Sequence, residues 1–407
     1  MLAPALVVVA ALLVGSGCSD DTTIKPPSSA ATTSDARGEQ AQQVVGSLSS
    51  ALQGADAEAA ASLGVGGARQ TLASMVTNIG TLGLTDVALR FVDGAAAAGP
   101  DTLQSYGPDA WQGTVEVRYR LPGWDRDQTR VETPFVFVPG EDGPRIAAIG
   151  GADGRTPLWM TGPVQTRAGE RTLVISRSGS TARYAPLLRR ALGDVARVLP
   201  SWHGRLVLEV PGSEQALDQA LDASQDQYAN IAAVTTSVDG SLAPGAPVHV
   251  FLNPRVFDRL GPRGAQVVVS HESTHVATGA TFSDMPTWLL EGFADYVALA
   301  HAGIPVSTAA SQILARVRKD GPPAHLPTSD ELAPTAAGLG ATYEEAWLAN
   351  RFLAQQYGEH RLVAFYDAVD DGTPVGQAFT RVLGTSEAAF VRRWRRELSA
   401  LAGGEAG

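Results

Sequence analysis

Apolar positions in this chain change rhythm twice, and each change marks a boundary. Gln40–Gln53, Asp56–Leu63 and Ala68–Gly80 carry them at helical spacing. Asp86–Val92, Gly113–Leu121, Thr129–Val138 and Arg145–Ile149 then alternate or run apolar between the turn signals Pro122-Gly123 and Glu141-Asp142-Gly143. Helices followed by a meandering antiparallel sheet predict one α+β unit over residues 39–166. From residue 167 the two rhythms interleave. A strand at Arg171–Arg177 leads to a helix at Ala182–Leu199, with Val195 and Val198 among its apolar positions. After them come a strand at Arg205–Val210, a helix at Ser213–Asp222, and strands near Ala229–Ser237 and at Val248–Leu252.

Beyond Gly261 the pattern is helical to the end. Its later members are Ser307–Lys319, Thr342–Tyr357, Arg361–Val369, Val375–Val382 and Ser386–Leu401, with a Pro-rich loop, Gly321–Pro334, after the first. A mixed-sheet lobe followed by a helical lobe again makes an α+β fold, with a cleft between the lobes as the expected site. Val248–Leu252 directly precedes the helical part and is expected at the sheet's edge, where exposed backbone can pair with an extended peptide. His249 on that strand is expected at the surface, or within reach of substrate.

The chemistry concentrates between Gly261 and Tyr296. Pro262 suits a first helical turn, Ala265 to Ser270 gives a largely apolar approach, and Gly279 supplies a stop. On that helix His271-Glu272-Ser273-Thr274-His275 sets two imidazoles at i and i+4, one turn apart on one face, able to grip a single ion. Glu272 stands beside the first imidazole, where a carboxylate can take a proton from an attacking water. Trp288 to Tyr296 reads as a second helix after the start signals Asp284 and Pro286, and brings Glu291 sixteen residues after His275 (291 − 275) as a third ligand. Two histidines and a carboxylate with an open fourth position favour Zn2+.

These paired motifs resemble the gluzincin metallopeptidases, the thermolysin-like branch of the zincins, and among them the loosely defined peptidase MA-like group. The resemblance covers about residues 170 to 400 and is specific at the zinc motifs. It implies zinc on His271, His275 and Glu291, Glu272 as general base, and Asp295, one turn after Glu291, as the carboxylate that orients His271. It also implies a tyrosine donor to the oxyanion. Tyr343 stands at about that place, and His325 in the preceding loop is the rival donor. Val276 to Thr281 holds no third histidine of the metzincin kind. The Gly-x-Met-Glu-Asn sequence of the aminopeptidase branch is missing from Pro247 to Pro254, which favours an endopeptidase over removal of single N-terminal residues. Two other readings stay open: a catalytically silent exported protein that binds a partner or cell-wall component, and a zinc hydrolase of non-peptide amides.

The N-terminal end bears on location. Leu2 to Val14 is apolar and, at thirteen residues, shorter than the roughly twenty a membrane span requires. Small residues then lead to Cys18 and an abruptly polar Ser19-Asp20-Asp21, the pattern of a lipoprotein signal at 1–18 with Cys18 lipidated. No Lys or Arg precedes the apolar run, and Gly15 stands where a leucine is usual, so plain secretion is the alternative. Residues 19–38, rich in Ser, Thr, Pro and Ala, predict a flexible tether. The folded part then divides into 39–166, which resembles an NTF2-like cone and carries no catalytic cluster, and the peptidase-like 167–407.

With one cysteine, no intramolecular disulfide is possible. A net charge of −11 argues against a general phosphate-binding surface and nucleic acid as a partner. Only Lys25 and Lys319 are lysines, and Arg392, Arg393, Arg395 and Arg396 around Trp394 wrap a helix, predicting a solvated face.

Overall fold

The computed structural model describes residues 33–404 apart from 225, 226 and 334, with no account of the side chains of 33–35 and 93–97. The expected leader with Cys18, and the first part of the tether, lie outside the described residues. Among the described residues no helix is long and apolar enough to cross a membrane.

Helices α1 (Thr33–Gln53), α2 (Ala57–Ser62) and α3 (Ala68–Leu82) precede β1 (Thr85–Ala97). A short α4 (Pro100–Tyr106) leads into β2 (Trp111–Arg120), β3 (Thr129–Val138) and β4 (Arg145–Ile149). These strands form an antiparallel sheet in chain order. Helix α1 starts inside the stretch expected as tether. Buried Ala41, Val45, Leu48 and Leu52 anchor it, and a nucleated helix extends backward at little cost. Strand β1 runs past the expected Val92, because its irregular pairing reaches Ala97 opposite Trp111. Little in Gly94-Ala95-Ala96-Ala97 favours a strand locally; the neighbour imposes it.

The second sheet comprises β5 (Gln165–Ala168), β6 (Thr172–Ser176), β7 (Leu206–Val210), β8 (Ala233–Ser237) and β9 (Val248–Leu252). Between its strands lie α5 (Thr181–Val198) and α6 (Glu214–Leu221), and α7 (Pro254–Phe257) follows β9. Their order is β5-β6-β7-β9-β8, with β6, β7 and β9 parallel and both outer strands antiparallel. Two expectations are corrected here. Strand β5 straddles the boundary drawn after Thr166 and belongs to this sheet through its pairing with β6. Strand β9 is not the edge: β8 pairs along its outer side from Ala233 opposite Leu252 to Ser237 opposite Val248.

The three parallel strands β6, β7 and β9 are buried on both faces, which explains their near-continuous apolar sequences. Val174, Leu208, Val250 and Leu252 face Leu188 and Ala191 of α5 and Ala265 and Val269 of the helix that follows α7. Leu173, Ile175, Val207 and Phe251 instead join Leu121, Val131 and Trp159 of the first unit, so the two units share one core.

His249 sits at that seam and is neither a surface nor a substrate-facing residue. Buried, it meets Glu209 Oε1 at 2.7 Å through Nδ1 and Asp125 Oδ1 at 2.9 Å through Nε2. Burial alone would favour the neutral ring, but the Asp125 and Glu209 carboxylates overcome it and raise the pKa to about 10. With both nitrogens donating, the ring is an imidazolium clasped between a carboxylate of each unit.

The remaining elements are helical: α8 (Pro262–Thr278), α9 (Thr287–Leu299), α10 (Val306–Ala309), α11 (Ser311–Asp320) and α12 (Leu339–Tyr357), then α13 (Glu359–Asp370), α14 (Val375–Leu383) and α15 (Glu387–Gly403). The single helix expected at Ser307–Lys319 is divided, because Ala310 leaves helical geometry at φ −112 and ψ 26. In α15, Arg392 and Arg396 are exposed as expected, whereas Arg393 bonds to Tyr357 and to Thr385 Oγ1.

Candidate metal centre

Helix α8 is built to hold its histidines at a fixed height. Pro262 occupies its first turn, and Gly279 closes it with φ 67, a left-handed conformation that glycine adopts without a Cβ clash. Ser270 bonds Asp194 Oδ2 of α5 at 2.7 Å, which fixes the helix immediately before His271. Helix α9 then crosses α12 at Gly292. A Cβ there would lie 2.3 Å from Ala346 O and 2.3 Å from Asn350 Nδ2, so only glycine permits the approach. Asn350 ties the crossing by donating to Trp288 O at 3.2 Å and Ala346 O at 3.0 Å.

This packing brings His271, His275 and Glu291 together, as the sequence spacing predicts, although they come from two helices. His271 Nε2 and His275 Nε2 are 2.9 Å apart, and Glu291 Oε2 lies 3.2 Å from the first and 3.5 Å from the second. Ligand bonds of about 2.0–2.1 Å in a tetrahedron separate neighbouring donors by roughly 3.3 Å. The three separations bracket that edge. Two imidazoles and a carboxylate grouped at this spacing fit zinc.

His271 turns its other nitrogen, Nδ1, to Asp295 Oδ1 at 2.8 Å. That contact fixes the ring's orientation, with Nε2 facing His275 and Glu291. Burial pulls the His271 ring toward neutrality, yet the carboxylates of Asp295 and Glu291 hold its pKa well above the ordinary value. Glu291 shows the converse: burial would raise it, and the two imidazoles drive it far below the usual carboxylate range. The carboxylates of Asp295 and Glu291 thus favour positive charge beside the imidazole pair.

Glu272 faces the same cleft, only 8% exposed, with Oε2 2.7 Å from the Thr235 hydroxyl of β8. Tyr343 lines the cleft with Leu339 from the α12 side, opposite Ala233 and Val234 of β8. Burial, then the charges of Glu291, Asp295 and Glu272, raise the Tyr343 pKa, so its phenol remains a proton donor. His325 does not line this cleft. Its ring is exposed and turns toward Leu326 O at 3.0 Å and Glu331. Sequence reading overlooked Thr235, whose sole signal was a hydroxyl on a strand near the site, and Gly292, legible only as a glycine inside a helix.

No protein-family model matches the sequence, and no curated protein does. Among solved structures, the chain is similar to a mutant M1 zinc metallopeptidase from Deinococcus radiodurans bound to a Tyr-Ser-Ala substrate, at 16% identity. The match covers 70% of this chain and 61% of that one, with a TM-score of 0.33.

Proposed function

We propose that this chain is a zinc-dependent metallopeptidase of the gluzincin kind, acting as an endopeptidase. The observation that carries the reading is the convergence of His271, His275 and Glu291 beside Glu272 in one cleft. Zinc held by those three residues would polarise a scissile carbonyl and lower the pKa of a water to about 7. Glu272 takes the proton of the attacking water and delivers it to the leaving amine. Tyr343, protonated throughout the neutral range, donates to the carbonyl oxygen as negative charge develops. Among the described residues β8 is the edge strand, and its Ala233–Thr235 part lines the cleft, where an extended peptide can add as a strand.

Strand β8 reads Ala233-Val234-Thr235-Thr236-Ser237 and offers no carboxylate to hold a free amine. Cleavage inside a chain therefore suits it better than removal of terminal residues. The same proposal includes export with a lipid on Cys18, on the strength of the apolar run and the small residues before it, and an NTF2-like first unit that supports the sheet.

A mixed peptide library, digested by zinc-loaded protein with and without chelator, tests the reading. Internal cuts that chelator abolishes and added zinc restores support it. No cuts, with one zinc bound per chain, contradict it and favour a binding protein or an amidase of other substrates.

A further inference from the structure

Thr235 touches the machinery from an unexpected side. Its hydroxyl lies 2.7 Å from Glu272 Oε2 and 3.1 Å from the Glu272 carbonyl oxygen. An ionised carboxylate can only accept, so the hydroxyl donates its one proton to the nearer oxygen. Among the described residues no other side chain bonds to that carboxylate. A glutamate side chain has three rotatable bonds, and a nearly buried one held by nothing samples several rotamers. One charge-assisted hydrogen bond is enough to select among them.

We propose that Thr235 is a positioning residue for Glu272, holding one carboxylate oxygen so that the other is free to meet the attacking water. The inference rests on the metallopeptidase reading and deepens it. Its geometry has a mechanistic consequence. Strand β8, whose outer side would hold the substrate backbone, also sets the aim of the base, and its register is pinned from Ala233 to Ser237 by β9. Substrate and base are thereby referred to one strand, and an error of about 1 Å between them costs on the order of 100-fold in rate.

Two measurements on the full chain test it, with Thr235→Val, Thr235→Ser, Glu272→Ala and the double variant Thr235→Val/Glu272→Ala. In metal-free protein, the unfolding midpoint in denaturant falls with Thr235→Val, and the fall is smaller in the Glu272→Ala background. An undiminished fall in that background overturns the proposal, because Thr235 would not then act through the carboxylate. In zinc-loaded protein, Thr235→Val lowers kcat by about 10- to 100-fold, leaves KM within about twofold and retains one zinc per chain, and Thr235→Ser restores kcat to within about threefold. An unchanged kcat, a change confined to KM, or failure of serine to rescue also overturns it. If the parent protein cleaves nothing, the metallopeptidase reading fails, and the metal-free comparison alone decides whether Thr235 holds Glu272.

Discussion

His271 donates from Nδ1 to Asp295 Oδ1 at 2.8 Å, and through that bond its Nε2 is aimed at the point where His275 and Glu291 converge. Removing the carboxylate leaves the ligand present but free to turn. Asp295→Ala is expected to weaken zinc binding by about 10- to 100-fold, read by titration against a competing chelator. An unchanged affinity would mean that helix packing alone orients the ring.

Zinc is expected to stabilise the folded chain, because the three ligands are assembled only in it. At a free concentration about 100 times Kd, the gain is roughly 2.7 kcal/mol. Melting curves with and without zinc should differ for the parent chain and coincide for His275→Ala, which loses a ligand.

Tyr343 remains protonated because burial and the Glu291, Asp295 and Glu272 carboxylates raise its pKa. Tyr343→Phe should lower kcat by about 100- to 1,000-fold with little change in KM, since the hydrogen bond strengthens only as the oxyanion forms. A rise in KM at constant kcat would instead make the phenol a ground-state contact.

The His249 clasp predicts a pH dependence of stability. Its folded pKa, about 10, lies above the ordinary 6.5, so the folded chain keeps a proton that the unfolded chain has lost between those values. The clasp's contribution is therefore fully present below pH 6.5 and is lost as pH rises through about 10. At about 1.4 kcal/mol per pH unit, it is of the order of a few kcal/mol. Denaturant midpoints at pH 6, about 8 and about 10 should fall for the parent chain and lose that one-proton slope in His249→Leu. The ring's partners Asp125 and Glu209 are left in place in that comparison, as are Tyr119 and Arg155, which line a cavity with His249.

Local features were legible in the sequence, and features set by pairing between distant segments were not. The histidine pair, Glu291 and the helices carrying them follow from spacing, capping and period, and strands β3, β4 and β9 begin and end where alternation places them. Chain order suggests Val248–Leu252 as the edge strand because it directly precedes the helical part, whereas pairing puts Ala233–Ser237 outside it. His249 was misread for a related reason. Its partners Glu209 and Asp125 lie 40 and 124 residues away, and only the shared core brings them to it. Thr235 is 37 residues from Glu272, and only the fold brings its hydroxyl to that carboxylate.

The central claim is that Glu272 does the proton work in a zinc site built by its neighbours. The most direct measurement compares peptide cleavage by the parent chain and Glu272→Ala at equal, stoichiometric zinc. Loss of cleavage by about 100- to 10,000-fold with zinc still bound is the predicted result. Full activity in Glu272→Ala would contradict the account.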